Sequence, residues 1–307
     1  MENERILTEA DIKRVKGLGC LRDKRYPDVF NVRILTRNGF LTADEARAVA
    51  EASERFGSGA LAMTTRQCIE IQGVQYDNIP ALIDFLAEAG LHTGGTGTLV
   101  RPIVSCKGTT CQYGLLDSYG LTNKIHEKFY IGYHGVPLPH KFKICVGGCP
   151  NNCAKPGLND LGVMGQRVPT VDLEKCRGCK KCQVSAACPM KSAAVVDGKV
   201  RLDATCNNCG RCMGKCPFDA ISYQDGYRIT IGGRFGKKCD FGRPLTRLFL
   251  SEEEVLTAIE KAICLFRDEG APGERFADTI ARLGFENVER EILADDILAR
   301  KEEILKD

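Results

Sequence analysis

The sequence predicts an α+β protein in two parts, with a compact cysteine-rich segment inserted into the second part. The chain has 307 residues, and at roughly 100 to 200 residues per domain this length accommodates about two domains. Hydrophobic residues make up 43% of the chain, which is enough to build cores. There are also 17 cysteines, many of them in closely spaced groups. A globular protein with several parts is therefore expected.

Charge and hydropathy exclude several classes of function. The 43 basic and 40 acidic residues leave a net charge of +3, and the basic residues are dispersed, which argues against a nucleic-acid surface. No stretch approaches the 18 or more apolar residues of a membrane helix, and residues 1–5 are charged where a signal peptide would become apolar. We therefore predict a cytoplasmic protein without membrane insertion. In a reducing compartment, clustered thiols indicate metal or redox chemistry rather than disulfides.

The first 100 residues predict a two-layer α/β sandwich of the ferredoxin-like type. A capping box at residues 42–45 (TADE) begins a helix that continues to about residue 55. Alternation at residues 68–73 predicts a strand, and an amphipathic pattern predicts a helix over residues 78–90. With a short strand at residues 33–35, the order is strand, helix, strand, helix.

The rest of the chain predicts a second domain that the insert interrupts. We place the domain boundaries at 1–100, at 101–168 together with 224–307, and at 169–223 for the insert. The predicted elements of the second domain are helices over 115–130 and 251–268 and strands over 141–146 and 227–232.

Two cysteine triplets, each followed by Cys-Pro, begin 30 residues apart within the insert. The second has the C-x2-C-x2-C-x3-C-P form of bacterial ferredoxins, in which the last cysteine of each run ligates the other cluster. In the first, five residues separate Cys182 from Cys188, which lengthens the loop and leaves crossed ligation possible. One 4Fe-4S cluster is thus assigned to Cys176, Cys179, Cys182 and Cys216, and the other to Cys206, Cys209, Cys212 and Cys188.

The alternative for these triplets is a pair of zinc sites. Zinc sites usually combine two C-x-x-C pairs separated by a spacer, and triplets followed by Cys-Pro do not fit that pattern. The insert therefore favours a bacterial-type two-cluster ferredoxin module. Such a module carries electrons and does not reveal what is reduced.

A second set of cysteines lies before the insert. Cys106 and Cys111 form one close pair, and residues 141–153 (KFKICVGGCPNNC) contain Cys149 and Cys153. Two close pairs far apart in sequence suggest four ligands that folding brings together, for either a cubane or zinc. Spacing alone does not choose between them.

Three motifs give the chain a family resemblance: TTRQ at residues 64–67, KFK at residues 141–143 and GGCPNNC at residues 147–153. They resemble the sirohaem-containing sulfite and nitrite reductases, and residues 232–236 (GGRFG) and 273–276 (GERF) fit the same family. With the insert, the chain is most similar to the catalytic subunit of anaerobic-type sulfite reductases. The resemblance implies a ferredoxin-like α/β sandwich half and a sirohaem/4Fe-4S α/β domain, interrupted by the ferredoxin module.

The resemblance also implies which cysteines hold the third cluster. In the family, the two pairs bind a 4Fe-4S cluster and the last cysteine also binds the sirohaem iron. Carried over, the ligands are Cys106, Cys111, Cys149 and Cys153, with Cys153 as the bridging thiolate. The first pair departs from many family members, which have five intervening residues where this chain has four. Cys145 lies close enough to compete, although the Cys-Pro-Asn-x-Cys context favours Cys149 and Cys153.

An anion pocket is the next implication. Sulfite carries up to two negative charges, so its binding face needs fixed cationic donors in a partly dry pocket. Arg33, Arg101, Lys141 and Lys143 match the family positions. In a strand, residues i and i+2 project to one face, so the two lysines can converge on one ligand. Crowded cations should depress a lysine pKa and make it a better proton donor.

Sirohaem has eight carboxylates and needs a cradle of cations, hydroxyls and amides. Thr64, Thr65 and Arg66 match family positions that bind the macrocycle. Proximity to the motifs suggests four weaker contacts, namely Lys107, Thr109, His140 and Arg234.

The resemblance implies sirohaem-dependent six-electron reduction of sulfite to sulfide, with sirohaem and three 4Fe-4S clusters as cofactors. Nitrite reduction to ammonia is the sister reaction, and the extra charge and oxygen of sulfite suit a pocket of two arginines and two lysines better. A polyferredoxin-like electron carrier is the alternative from another class. A pure carrier would not need the TTRQ and KFK motifs.

Partners are expected on three grounds. Larger family members carry two copies of this unit, so this chain should form a homo-oligomer or a hetero-oligomer. Since no GxGxxG motif follows a strand, NADH or flavin chemistry should belong to a partner. The electron donor would be another subunit or a ferredoxin.

Overall fold

The computed structural model describes residues 7–306. Residues 1–6, which include the segment used in the signal-peptide argument, and residue 307 lie outside the described residues. In the described part, no helix is both long and apolar enough to span a membrane.

An N-terminal unit forms a four-stranded antiparallel sheet covered by helices. The sheet order is β1-β2-β4-β3, and its core includes Phe30, Ile71 and Leu82. Its elements are α1 (Glu9–Gly17), β1 (Cys20–Arg22), β2 (Val29–Ile34), α2 (Ala43–Phe56), β3 (Leu61–Met63), β4 (Ile69–Gln75) and α3 (Ile79–Glu88). The predicted order of strand, helix, strand and helix is confirmed in β2, α2, β4 and α3, whereas α1 and the edge strands β1 and β3 are additional elements.

The predicted capping box opens α2. The Thr42 hydroxyl accepts the Glu45 N–H at 3.2 Å, and the Glu45 carboxylate accepts the Thr42 N–H at 2.7 Å. Each bond satisfies a backbone donor that lacks a partner inside the helix. The start of this helix is therefore fixed by two residues that are local in sequence.

A five-stranded mixed sheet forms the second unit, in the order β13-β10-β7-β6-β5. Its strands β5, β6 and β7 are parallel, whereas β10 is antiparallel to β7 and β13. Beneath the sheet, the rings of Phe142, Phe266 and Phe276 pack with centroids 5.3 to 5.8 Å apart. Its elements are β5 (Val104–Ser105), α4 (Ser118–Ile125), β6 (Ile144–Gly147), β7 (Leu161–Val171), β10 (Ile221–Ile231), β11 (Arg234–Phe235), β12 (Cys239–Asp240), β13 (Arg243–Pro244), α6 (Glu252–Glu269), α7 (Phe276–Leu283), α8 (Phe285–Leu293), α9 (Asp296–Ala299) and α10 (Lys301–Leu305).

Three predicted starts in this unit shift. The strand predicted from residue 227 begins at Ile221. The helix predicted from residue 115 begins at Ser118, because the Asp117 carboxylate caps it by accepting the Gly120 N–H at 3.0 Å, and a π-helical stretch (His126–Ile131) follows it. The strand predicted from residue 141 begins at Ile144. Residues before it still run extended, since Phe142 pairs through its backbone with Leu99 and Arg101 at 3.0 and 2.8 Å.

The cysteine-rich insert lies at the end of the longest strand pair. Strands β7 and β10 pair along their whole length, from Leu161 opposite Ile231 to Val171 opposite Ile221. This pairing extends past the predicted insert boundaries at residues 169 and 223. Residues 172–220 lie beyond the pair and contain α5 (Gln183–Ala187) and the hairpin of β8 (Ala193–Val196) and β9 (Lys199–Leu202). This segment has its own small core, which includes Val184, Ala193, Val200 and Ala220.

Candidate active site and cysteine loops

Four cysteines meet at the carboxyl edge of the parallel strands. Cys106 follows β5, and Cys149 and Cys153 lie in the loop after β6. Because β5 and β6 are parallel, both strands end at the same edge. Burial raises the pKa of the Cys149 thiol, and the neighbouring Cys106, Cys111 and Cys153 thiols raise it further. The structure thus brings together the four residues predicted as ligands of the third cluster.

Two glycines allow the two loops to approach each other. The Gly148 N–H donates to the Cys106 sulfur at 3.1 Å. A Cβ at Gly148 would lie 2.7 Å from the Gly108 Cα and 3.3 Å from the Cys106 sulfur. Any larger residue here would push the first cysteine loop away from the second.

We expect Gly148→Ala to weaken this site. Overpacking of a tight contact costs about 1 to 3 kcal/mol, and here the displaced group is a proposed ligand. The free energy of unfolding in urea and the iron content after reconstitution should both fall. The control is Gly135→Ala, because a Cβ at Gly135 meets nothing within 4 Å. Equal stability and iron content in the two variants would show that the contact is unimportant.

The two cysteine sets of the insert also come together in the crossed combinations predicted. One cavity is lined by Cys176, Cys179, Cys182 and Cys216. In the other set, burial raises the pKa of Cys212 to about 11, with further increases from the Cys206, Cys209 and Cys188 thiols. Each set therefore draws its fourth cysteine from the other run. Ligation of a cluster by each set stays a prediction.

The second cysteine run of the insert faces the body of the protein. A cavity is lined on one side by Cys149 and Asn151 and on the other by Cys209 and Arg211. The Arg167 N–H donates to the Asn208 carbonyl at 2.8 Å, which fixes this run against β7. The Cys176 run instead packs on the insert's own hairpin, where the Val200 N–H donates to the Cys176 sulfur at 3.3 Å.

Cationic side chains cluster at the opposite end of β6. Phe142 is fully buried, so Lys141 and Lys143 on either side of it project to the other face, as predicted. Burial lowers the pKa of Lys143 to about 8, and the nearby cations of Arg66, Arg275 and Lys141 lower it further. Burial also lowers the pKa of Lys141, with contributions from Arg275 and Arg101. Both lysines therefore lie in a positive, partly desolvated environment.

One buried carboxylate lies among these cations. Asp160 is fully buried and accepts two bonds of 2.8 Å from Arg275 and one of 2.9 Å from the Lys143 N–H. Burial raises the pKa of Asp160, against the opposing effect of Arg275. The Nε atoms of Arg101 and Arg275 are buried and have no hydrogen-bond partner within residues 7–306. This surplus of positive charge and free donors favours an anionic ligand.

The two predicted arginines have different surroundings. Arg33 donates to the Glu70 carboxylate at 3.0 and 2.7 Å and to the Gly95 carbonyl at 3.0 Å. Arg101 donates to the same carbonyl, and burial lowers its pKa, with a contribution from Arg33. The structure thus brings Arg101 to the lysines, whereas the charge of Arg33 is balanced by Glu70.

Two of the predicted sirohaem contacts are already engaged with the protein. Arg66 donates to the carbonyls of Pro102 and Ile144 and to the Asn159 side chain, and burial lowers its pKa to about 10. Arg234 forms ion pairs with Asp240 and with Asp278. These contacts give both arginines a structural role in the protein.

The remaining five predicted sirohaem contacts differ in whether their side chains are exposed or already hydrogen-bonded within the protein. Thr65 and Lys107 are exposed. The Thr64 hydroxyl accepts the Cys68 N–H at 3.0 Å, and the Thr109 hydroxyl donates to Asp117 at 2.6 Å. His140 accepts the Lys141 N–H at 2.8 Å, and burial together with the surrounding cations lowers its pKa.

Sequence reasoning missed Asp160 and Arg275 as site residues. Arg275 lies within the GERF motif that supported the resemblance, but nothing marked its side chain. Asp160 lies 115 residues away in sequence, next to β7, which was not predicted as a strand. Their pairing depends on tertiary contacts that local patterns do not report.

Two family models together match most of the chain. The model described as nitrite and sulphite reductase 4Fe-4S domain matches residues 96–298, and the nitrite/sulfite reductase ferredoxin-like half domain matches residues 22–89. An uncharacterised protein of Methanocaldococcus jannaschii is 32% identical over 283 residues, which cover 91% of this chain and 98% of that protein.

A second relative from the same organism is a coenzyme F420-dependent sulfite reductase. It is 28% identical over 271 residues, which cover 85% of this chain but only 42% of that enzyme. A dissimilatory sulfite reductase structure matches with a TM-score of 0.70 at 22% identity, covering 87% of this chain and 69% of that one, and this likeness shows the fold. The chain belongs to the nitrite and sulfite reductase family of oxidoreductases.

Proposed function

We propose that the chain is the catalytic unit of a sirohaem-dependent sulfite reductase, which reduces sulfite to sulfide with six electrons delivered through 4Fe-4S clusters. The observation that carries this proposal is the partly buried cation group of Arg101, Lys141, Lys143 and Arg275, in which the buried Asp160 pairs with Arg275. Strand β6 separates this group from the cysteine loop by four residues, which is about 13 Å at about 3.3 Å per residue. A ligand that contacted both the cation group and the cysteine loop would have to span this distance, so it would be larger than a single ion.

The donor set fits the proposed cofactors. Cys106, Cys111, Cys149 and Cys153 would hold a 4Fe-4S cluster, and the exposed Cys153 thiol would also bind the sirohaem iron. Cys145 is a poor competitor, because burial raises the pKa of its thiol to about 12 and clusters are ligated by thiolates. When bound, sirohaem supplies an iron that holds the substrate and passes electrons to it.

The protein's own residues would bind and protonate the anion. Lys141, Lys143 and the free Nε atoms of Arg101 and Arg275 offer charged donors to sulfite oxygens. Each oxygen leaves as water, so protons must be supplied at the oxygens. A lysine with a pKa of about 8 is suited to donate a proton near neutral pH.

Sulfite is favoured over nitrite by charge. Nitrite has one charge and one oxygen fewer, and this group of cations would remain less compensated around it. The relative that covers 85% of this chain is called a sulfite reductase, which supports the same choice.

We further propose that residues 172–220 hold two 4Fe-4S clusters, for a total of three. The triplets, each followed by Cys-Pro, differ from the two separated C-x-x-C pairs that are usual in zinc sites, which supports clusters over zinc. Because this chain covers only part of the F420-dependent relative, a partner domain or subunit would supply the electrons and complete the assembly.

The test is product analysis with a chemical reductant. Purified protein, reduced methyl viologen and either sulfite or nitrite should give sulfide with a higher kcat/KM than ammonia. Preference for nitrite would assign the chain to nitrite reduction. If the sample shows neither activity and no tetrapyrrole absorption bands, the chain would be an electron carrier and not a reductase.

A further inference from the structure

The positive charge of the chain is concentrated in the insert. Residues 172–220 contain nine Lys and Arg against five Asp and Glu, which gives +4, so the remaining residues sum to −1 within the total of +3. The segment proposed to carry electrons therefore differs in charge from the protein to which it is attached. Such an asymmetry steers charged partners toward one face.

Within the insert, the two cysteine runs are not equally basic. Between its first and third cysteine, the first run contains Arg177, Lys180 and Lys181, whereas the second contains only Arg211. Arg211 lies over the Tyr113 ring, 4.8 Å from its centroid, and so faces the rest of the chain. Since each set has the same number of thiolates, compensation of cluster charge does not explain the three cations of the first run.

Two of these three cations line a cavity together with exposed apolar side chains. Arg177, Lys180 and Lys181 are all exposed, and so are Val195 (39%) and Phe218 (45%). Arg177, Lys181, Val195 and Phe218 also line the cavity that Cys179 and Cys182 share. We call Arg177, Lys180, Lys181, Val195 and Phe218 together the basic patch. An apolar centre with a charged rim is the usual anatomy of a protein interface.

The basic patch lies at the Cys176 end of the insert, whereas the Cys209 end faces the body of the protein. The Cys209 loop shares a cavity with Cys149, whereas the Cys176 run packs on the hairpin through Lys199, which donates to the carbonyls of Leu173 and Cys176 at 2.7 and 2.8 Å. If the Cys209 side delivers electrons to the body, the Cys176 side is where they enter.

We propose that the basic patch is the docking surface for an acidic one-electron carrier of the ferredoxin type. This inference rests on the proposed function only in that the insert holds clusters. In the transfer, the reduced carrier would lose one electron to the cluster that Cys176, Cys179, Cys182 and Cys216 would hold, with no bond or proton exchanged. Electrostatic attraction suits a partner that must bind and leave in each turnover.

The experiment measures binding of a purified acidic bacterial 2[4Fe-4S] ferredoxin to the full chain. The variant Arg177→Glu/Lys180→Glu/Lys181→Glu should raise the Kd about 10-fold or more and reduce its dependence on salt. The neutral variant Arg177→Gln/Lys180→Gln/Lys181→Gln should give a smaller change in the same direction. A matched control reverses three exposed lysines outside the insert, Lys13, Lys24 and Lys306, and should leave the Kd within about twofold.

Absorption spectra and methyl viologen-driven turnover separate docking from folding and from catalysis. Both should be unchanged in the patch variants, since a small dye needs no docking surface. If the wild type does not reduce sulfite but the patch variants still lose ferredoxin binding, the docking surface stands and the proposed function fails. Equal weakening in the control and patch variants would overturn the inference. Equally tight, patch-dependent binding of duplex DNA would overturn it too, because the surface would then be a general polyanion site.

Discussion

Replacing Lys143 by methionine is expected to lower kcat/KM for sulfite by about 100-fold to 1,000-fold. Loss of one preorganised donor to a developing negative charge typically has this effect. Methionine keeps much of the side-chain volume, so the fold should survive. Lys24→Met changes an exposed lysine outside this cation group and should leave the rate unchanged. A decrease of less than about threefold in the Lys143 variant would remove it from the substrate site.

The same residue predicts a pH dependence whose sign is defined. The pKa of Lys143 is lowered to about 8 in the folded chain, so its charge is lost as pH rises through that value. Sulfite reduction should therefore decline from about pH 7 to about pH 9.5, and Lys143→Arg should move that decline to higher pH because arginine stays charged.

Folding stability should respond in the opposite direction. Between the folded pKa and the ordinary lysine pKa, the unfolded chain binds more protons than the folded one, so stability rises with pH across this window. Lys143→Met should flatten that rise. Urea unfolding of the apo chain between about pH 8 and about pH 10 measures this without any cofactor, and an unchanged slope would contradict the burial of the Lys143 amine.

Local signals explain why parts of this fold could be predicted. The start of α2 depends on Thr42 and Glu45, which are three residues apart, and the cysteine runs carry their pattern in their spacing. Strand β7 escaped prediction because it is buried on both faces over much of its length and contains Gly162, Gly165 and Pro169, so it lacks simple alternation. The predicted insert boundaries stay a prediction, although pairing of β7 with β10 continues two residues past each of them.

The site shows the same division between local and tertiary information. The projection of Lys141 and Lys143 to one face follows from the burial of Phe142 between them. The pairing of Arg33 with Glu70 does not follow from a local pattern, because it depends on the register of β2 against β4. Family positions identify residues near the site, but the neighbouring strand determines which charges stay unbalanced.

The largest effect on stability is expected where Arg275 meets Asp160. Arg275→Met would leave the fully buried Asp160 carboxylate with only the Lys143 N–H, and removal of one partner from such a pair costs about 3 to 5 kcal/mol. Asp160→Asn should recover part of that loss when added to Arg275→Met. The exposed pair of Arg243 and Glu286, at 3.0 Å, is the control, with an expected coupling of about 0 to 1 kcal/mol. Additive effects at the buried pair would show that the two side chains do not interact.

The two single variants should also shift the Lys143 titration in opposite directions. Arg275 lowers the pKa of Lys143 and Asp160 raises it. Arg275→Met should therefore move the alkaline decline in activity to higher pH, and Asp160→Asn should move it to lower pH. A general loss of structure would lower the rate of both variants without separating their pH profiles. If the pH of the decline shifts in opposite directions in the two variants, Arg275 and Asp160 set the pKa of Lys143. If it shifts in the same direction in both, they do not.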